Sequence, residues 1–335
     1  MTQTPAKSPA MREAFLTALL TAMEKDERIF FLSADFGSPV IDTLRTKFPD
    51  RFLNVGVAEQ NLVNISAGLS LEGYTVFAYA IAPFITMRCL EQTRVNLALL
   101  SEVRKLNVNL IGVGAGYSYV VSGPTHQCLE DLSIMRALPN MQVYSPADYI
   151  SAAGLLQPCL QNSGPKYLRF DVQSLPALYA SQAPDMNRGF HVHRKGQGIC
   201  LVATGYMVHT ALAVAERLRV VGHHAGVIDL FSLSRFSAVE LADVLRPYGG
   251  IVTLEEGFQG RGGLDALISM FVIKQNLPAR MMMVGVEDTY RFDLGTREQL
   301  HKNVGIDAGT VFDRVNKFYT VVTGVPDHPV IRNQL

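Results

Sequence analysis

The stretch FLNVGVAEQNLVNISAGLSLEGY, residues 52–74, contains the junction that decides the fold. FLNVGV is a short apolar run typical of a buried strand, and the residues after it have the apolar spacing of a helix that ends near Gly73. Glu59 lies where the strand gives way to the helix. A first-turn glutamate commonly only complements the helix dipole, a contribution of at most about 1 kcal/mol. The alternative is a functional acid at the end of a strand.

The composition excludes several classes of protein. Basic and acidic residues number 30 each among 335, so no net field attracts nucleic acid or an anionic membrane. Four scattered cysteines, without disulfide or metal-ligand spacing, predict free thiols in a reducing compartment. The polar start lacks a signal-peptide pattern, and no apolar run approaches the length of a membrane span. We therefore expect a cytoplasmic protein.

Short β-rich apolar runs alternate with helical patterns in two parts of the chain. The pattern predicts strands at 29–33, 52–55, 75–78, 109–113, 142–144 and 166–170, then at 199–203, 225–229, 250–254 and 281–284. It predicts helices near 9–25, 39–48, 58–72, 83–101, 129–137 and 147–161, then near 207–222, 237–246, 262–276 and 308–321. This alternation is typical of βαβ units and parallel sheets covered on both faces.

The predicted fold class is α/β, with two doubly wound domains. Residues 1–172 form the first domain and residues 198–323 a smaller second one. Between them, residues 173–197 carry Pro176, Pro184 and Gly189 with little periodicity, which predicts a linker. Residues 324–335 are polar and predict a tail on the surface.

Familiar catalytic motifs are missing or incomplete. GVGAG at 112–116 follows a strand but does not open a helix, and GFQGRGG at 257–263 has no acidic partner at the expected distance, so neither is a nucleotide fingerprint. No GK[ST] or GxSxG sequence occurs. The histidines at 191, 193, 223 and 224 have no carboxylate or cysteine partners at ligand spacing, so we predict no metal site.

His126 is different, because it lies at a connection from a strand to a helix. In SGPTHQCLEDLSIMRALPN, residues 122–140, a Gly-Pro turn precedes His126 and a helical pattern follows it. Ligands of α/β sheets bind at such connections. The residues alone leave two roles open, a structural cap or an acid–base group.

The segments VGVAEQNLVNISAGLSLEGY (residues 55–74) and GPTHQCLEDLSIMRALPN (residues 123–140), taken together, closely resemble the transketolase family. The resemblance covers nearly the whole chain and is to the C-terminal half of a transketolase, as in the beta subunit of a split enzyme. It implies a pyrimidine-binding domain for thiamine diphosphate, followed by a transketolase C-terminal domain with TLEEGFQGRGG and VGVEDTYRFDLGTREQL.

The resemblance assigns Glu59 a chemical role. In thiamine diphosphate enzymes the cofactor's aminopyrimidine removes a proton from the thiazolium carbon, once a carboxyl group hydrogen-bonds the opposite ring nitrogen. A dry pocket strengthens that hydrogen bond, and a glutamate that follows the apolar strand FLNVGV is suited to one. We therefore predict that Glu59 activates the pyrimidine.

The resemblance implies roles for further residues. Phe84 stacks on the aminopyrimidine, Ile81 stands where the family commonly has a second phenylalanine, and Asp35 faces the cofactor pocket. Arg169 corresponds to an arginine that holds a substrate phosphate. His126 becomes a proton shuttle for the oxygens of the bound intermediates.

The chain departs from the family on the acceptor side. Ser122 replaces an aspartate that reads an acceptor hydroxyl, and Gly114 replaces a histidine eight residues earlier. Tyr117, Tyr119 and neighbouring valines supply aromatic or apolar surface instead. We expect Tyr117 and Ser122 to contact an aldehyde acceptor that is less polar than an aldose phosphate.

The family holds the cofactor's diphosphate through Mg²⁺ on a GDG motif, and this chain contains no GDG. The resemblance therefore implies a partner, an N-terminal-half transketolase subunit that carries the diphosphate-binding domain and the Mg²⁺, in an α2β2 assembly. The expected function is transfer of a two-carbon ketol unit from a ketose donor to an aldehyde. The alternatives are a decarboxylating relative, similar to deoxyxylulose phosphate synthase or to the beta chain of a 2-oxo acid dehydrogenase, and a non-catalytic scaffold subunit.

Overall fold

In the computed structural model, residues 8–180 and 182–325 are described. The first sheet has six parallel strands in the order β2-β1-β3-β4-β6-β5. Because the chain first extends the sheet to one side of β1 and then returns to the other, the β1–β3 boundary is a topological switch point. The strands are β1 (Ile29–Ser33), β2 (Phe52–Asn54), β3 (Thr75–Ile81), β4 (Val108–Val113), β5 (Gln142–Tyr144) and β6 (Lys166–Phe170).

Helices cover both faces of this sheet, as the pattern predicts. Phe31 and Phe77 belong to a core with α1, whereas the neighbouring Leu32 and Ala78 belong to the core under α3 on the opposite face. The helices are α1 (Met11–Met23), α2 (Pro39–Lys47), α3 (Glu59–Leu71), α4 (Leu90–Gln92), α5 (Asp131–Arg136), α6 (Tyr149–Gly154) and α7 (Leu156–Gln161), with short 3₁₀ turns at Pro49–Arg51 and Leu100–Glu102.

The segment predicted as a helix near 83–101 is helical but not a regular α-helix. Phe84–Arg88 and Thr93–Leu99 are π-helical, and they flank the short α4. Wider π-helical turns are uncommon and occur frequently at functional sites. The first π-helical segment, Phe84–Arg88, begins three residues after the end of β3, at the switch point of the sheet.

The second sheet has five strands in the order β11-β10-β8-β9-β7, and only β7 is antiparallel to its neighbour. The strands are β7 (His191–Arg194), β8 (Ile199–Ala203), β9 (Gly226–Asp229), β10 (Gly250–Phe258) and β11 (Arg280–Val286). The helices are α8 (Met207–Val220), α9 (Ala238–Leu245), α10 (Leu264–Lys274), α11 (Arg297–Asn303) and α12 (Ala308–Thr323). The sequence pattern therefore identifies the α/β fold correctly.

The sequence prediction missed two elements. β7 lies inside residues 173–197, which the pattern predicts as a linker, and α11 was not predicted. The exact domain boundaries remain a prediction. Most of the predicted surface tail, residues 326–335, lies outside the described residues. Within the described part of the chain, none of the helices combines the length and apolarity needed to cross a membrane.

Backbone hydrogen bonds join the two sheets. The N–H of Ser145, next to β5, donates to the carbonyl of Phe231, and the N–H of Leu233 donates to that of Val143, both at 2.8 Å. One core cluster also contains buried side chains from both sheets. The second domain is therefore packed directly against the first.

Candidate active site

The carboxyl ends of β1, β2 and β3 bring the predicted site residues to one edge of the first sheet. Asp35 follows β1, Glu59 follows β2, and Ile81 ends β3 just before Phe84. Because parallel strands place their carboxyl ends at the same edge, and because a switch point opens a crevice there, this edge is a natural ligand site.

Glu59 is the first residue of α3 and is buried. Its side chain is 3% exposed, and its Oε2 accepts a hydrogen bond of 2.7 Å from Nη1 of Arg88, whose side chain is 44% exposed. The adjacent turn at Gly56 has a φ of +74°, a conformation that favours glycine. The structure therefore places the acid in a dry position beside a planar cation.

Phe84 and His126 lie together, although 42 residues separate them in the sequence. Their ring centroids are 5.3 Å apart, and the planes of the two rings meet at 70°. The ring of Tyr119 makes a similar contact with His126 from 6.0 Å. Phe84, His126 and Tyr119 thus form a continuous row of rings, which we call the aromatic wall.

A turn fixes the backbone of His126. Gly123, with a φ of +74°, precedes it, and the N–H of His126 donates to the carbonyl of Gly123 at 3.0 Å. The hydroxyl of Thr125 lies 3.0 Å from Nδ1 of His126. Nε2 is therefore the ring nitrogen left to exchange a proton with a bound molecule. Ser122 lies exposed on the same connection, and its substrate role stays a prediction.

Asp35 is exposed and has a φ of +51°, in the left-handed region. It is held by Asn54 at the end of β2, which the sequence prediction missed. The N–H of Asp35 donates to Oδ1 of Asn54, and Nδ2 of Asn54 donates to Oδ1 of Asp35, both at 3.1 Å. Oδ1 of Asn54 also accepts from the N–H of Gly56. Asn54 therefore ties the end of β1 to the turn that leads into Glu59.

Gly114 leaves room for a ring of the aromatic wall. It has a φ of +110°, and a Cβ added there would lie 2.3 Å from Cε2 of Tyr119. Such a contact is impossible, so the half-buried Tyr119 ring occupies the space that a side chain at position 114 would need. Burial also raises the pKa of Tyr119, which keeps its hydroxyl protonated.

Arg169, predicted to hold a substrate phosphate, lies inside the protein, and its phosphate-binding role stays a prediction. Its Nε donates to Oδ2 of Asp131 at 2.8 Å, and its Nη2 donates to the carbonyls of Cys128 and Glu256. The side chain is 1% exposed. Burial disfavours the guanidinium cation, but the Asp131 carboxylate outweighs burial and raises the pKa of Arg169 above its ordinary value. Arg169 is an internal ion-pair partner.

Tyr117, predicted to contact the acceptor, lies at the boundary with the second domain. It is buried, and its ring lies 5.9 Å from that of His301 in the second domain, at a steep angle. Burial raises the pKa of Tyr117 above its ordinary value. The contact between Tyr117 and a substrate stays a prediction. Ile81, half-buried at the end of β3, remains where the prediction needs it, and its cofactor role is untested.

A network of buried charged side chains links the two domains. Nε of Arg297 donates to Oε1 of Glu256 at 2.9 Å, and Nη1 of Arg297 pairs with Asp171 just after β6. Nε2 of His301 also pairs with Glu256. Burial alone would raise the pKa of Glu256, but Arg297 and His301 hold it well below its usual range. Among the described residues, no group of three or more His, Cys, Asp or Glu side chains could hold a metal ion.

Family models match both parts of the chain. The model for "Transketolase, pyrimidine binding domain" matches residues 7–177, and the model for "Transketolase, C-terminal domain" matches residues 189–311. Together the two matches span most of the sequence, and they correspond to the two sheets described above.

Individual proteins match over nearly their whole length. A putative transketolase C-terminal section from Methanocaldococcus jannaschii is 28% identical over 309 residues, 91% of this chain and 95% of its own. A 6-deoxy-6-sulfo-D-fructose transketolase subunit from Clostridium sp. (strain MSTE9) is 30% identical over 89% of this chain and 91% of its own. The solved structure of a split gene transketolase, described as an inactive beta4 tetramer, is 31% identical with a TM-score of 0.82 and covers 94% of this chain and 99% of its own.

Proposed function

The chain belongs to the transketolase family, and on that premise we propose that it is one subunit of a thiamine diphosphate-dependent enzyme that transfers a two-carbon ketol unit from a ketose donor to an aldehyde acceptor. The observation that carries the proposal is the buried carboxylate of Glu59 at the switch point, joined through Arg88 to the Phe84 ring of the aromatic wall. Matches to transketolase subunits over nearly their whole length support it.

The residues at this edge fit the aminopyrimidine of the cofactor. The guanidinium of Arg88 is planar, carries N–H donors, lies 4.5 Å from the centroid of the Phe84 ring and donates to Glu59. An aminopyrimidine that hydrogen-bonds a carboxylate and stacks on an aromatic ring makes the same two kinds of contact. These two contacts support Glu59 and Phe84 as the residues that would hold the pyrimidine ring.

In the proposed mechanism, thiamine diphosphate supplies, when bound, the carbon atom that carries the two-carbon unit. Glu59 hydrogen-bonds a pyrimidine nitrogen, and burial of the carboxylate makes that bond stronger than it would be in water. Phe84 orients the ring by stacking. Nε2 of His126 exchanges a proton with the substrate's carbonyl or hydroxyl oxygen while Thr125 engages Nδ1.

The proposal includes a partner subunit that binds the diphosphate and the Mg²⁺, because this chain has no GDG motif. Exposed apolar residues near the site suit an obligate contact with such a partner: Val57, two residues before Glu59, and Val121, in the connection that leads to His126, are each 74% exposed. We propose an α2β2 assembly. All four cysteines are free and buried, which fits a reducing cytoplasm.

We propose that the acceptor is less polar than an aldose phosphate. The Tyr119 ring fills the space at Gly114, and Ser122 stands where the family has an aspartate, so two polar contacts to an acceptor are replaced. Turnover of ribose 5-phosphate should therefore be slower than that of an apolar aldehyde at equal concentration. A strong preference for ribose 5-phosphate would contradict this part of the proposal.

The main test is reconstitution with the GDG-containing half-chain. The present chain alone should transfer no ketol unit, and the mixture with thiamine diphosphate and Mg²⁺ should do so. Robust activity of the chain alone would refute the split-subunit proposal. Carbon dioxide release from pyruvate by the mixture, without ketol transfer, would favour the decarboxylating alternative.

A further inference from the structure

Arg88 makes both contacts that the proposed function assigns to the pyrimidine ring. Its Nη1 donates to Oε2 of Glu59 at 2.7 Å, and its Cζ lies 4.5 Å from the centroid of the Phe84 ring. One carboxylate oxygen and one ring face cannot serve two planar groups in the same position, because a guanidinium or an aromatic ring occupies the whole face of the Phe84 ring.

We infer that Arg88 occupies the pyrimidine position of the cofactor site as an internal ligand, and that its side chain has to leave Glu59 and Phe84 when thiamine diphosphate binds. The inference rests on the proposed function and adds a residue that controls cofactor affinity. The sequence analysis did not identify Arg88.

The surroundings of Arg88 allow this exchange. Its side chain is 44% exposed, so the guanidinium can become hydrated when it leaves, whereas Glu59 at 3% exposure cannot. The buried carboxylate therefore needs one partner at all times, and the pyrimidine would replace the one it loses. Nε2 of Gln60 donates a hydrogen bond of 3.2 Å to the carbonyl of Arg88 and so holds its backbone. We therefore expect only the side chain of Arg88 to move.

An arginine is required at position 88 if the side chain is to compete with the pyrimidine ring for both Glu59 and Phe84. A guanidinium is planar and can stack and donate at once, whereas a lysine ammonium is a compact point charge that can pair with Glu59 but cannot stack flat on Phe84. Arg88→Lys and Arg88→Met therefore distinguish the ion pair with Glu59 from the stacking on Phe84. Lysine keeps the charge, and methionine keeps only the length and apolar character of the stem.

The experiment measures binding of thiamine diphosphate, with Mg²⁺ present, to the complex with the partner half-chain by isothermal titration calorimetry. Arg88→Met should lower the apparent Kd by about three- to tenfold, the range expected when a half-exposed ion pair no longer competes. Arg88→Lys should fall between the wild type and Arg88→Met. Arg94→Ala is the matched control, since Arg94 lies on the following helical segment in an exposed pair with Glu91, and it should leave the Kd unchanged.

Each outcome has a defined meaning. Tighter binding by Arg88→Met, with Arg94→Ala unchanged and thermal melting confirming folded subunits, supports the inference. Unchanged or weaker binding by Arg88→Met and Arg88→Lys overturns it, the weaker case making Arg88 a ligand of the bound cofactor. If no complex binds thiamine diphosphate at all, the proposed function itself is refuted, and the inference with it.

Discussion

Replacing Glu59 with glutamine should abolish most of the activity of the reconstituted complex while leaving the fold intact. The substitution keeps the size and shape of a buried side chain and removes its charge. The proposed function needs that charge, because the hydrogen bond to the pyrimidine is charge-assisted. A scaffold subunit would not need it.

The substitution should affect the rate of ketol transfer much more than the stability of the fold. A hydrogen bond to a charged group contributes about 1.5–3 kcal/mol, so its loss should lower the rate by about 10- to 150-fold. The effect on stability should be below about 1 kcal/mol, because the lost partner, Arg88, is 44% exposed and becomes hydrated. For a chain of this size that corresponds to a shift in Tm of no more than about 4 °C.

The assay is ketol transfer by the reconstituted complex, measured beside thermal unfolding of each variant. Glu91→Gln is the matched control, since Glu91 is exposed and pairs only with Arg94 on the nearby helical segment, and it should behave as the wild type. If Glu59→Gln retained more than half of the activity, Glu59 would not be the activating acid. A large loss of stability without a specific loss of transfer would assign it a structural role.

Three further predictions concern other parts of the structure. Burial raises the pKa of Asp229 to about 8, so the folded protein keeps a proton that the unfolded chain loses, and stability should fall as pH rises from about 4 to about 8. Asp229→Asn, which can still accept from the Tyr179 hydroxyl, should therefore gain Tm relative to the wild type across that window, and a difference independent of pH would contradict the assignment. Arg169→Met should destabilise the chain by about 3–5 kcal/mol in denaturant unfolding, because it leaves Asp131 buried and unpaired. A raised KM with unchanged stability would contradict this and would support the phosphate-binding hypothesis instead. Tyr119→Ala should lower kcat/KM for an apolar aldehyde by about three- to tenfold relative to ribose 5-phosphate through loss of an aromatic contact, and an unchanged ratio would remove Tyr119 from the acceptor site.

Local patterns accounted for most of the secondary structure. All ten predicted strands occur, because a short apolar run has a composition that can be recognised without its neighbours. The run FLNVGV forms β2 but is not buried as predicted, since Leu53 is 40% exposed. β7 was missed because its HVHR sequence is polar and half-buried at the sheet edge, where pairing with β9 holds it. α11 had a signal that went unused, the capping box of Thr296 with Gln299.

The sequence predicted those site residues whose position depends on the residues next to them in the chain. Glu59 and His126 lie where a strand gives way to a turn or helix, and the carboxyl edge of a parallel sheet follows from strand order. Asn54 was missed although a polar residue just before a glycine turn is a usable signal. Tyr119 filling the space at Gly114 required the path of the loop between them.

The sequence by itself determined the α/β class, the strand edge that carries the acid, and the absence of a GDG motif, because periodicity and short motifs are local properties of the chain. Only the tertiary structure decided the partners of the long cationic side chains. Arg88 pairs with Glu59 across 29 residues, and Arg169 reaches Asp131 across 38 residues and the carbonyl of Glu256 across 87. A buried charge must find a partner wherever the fold brings one within reach, and no local pattern records that choice.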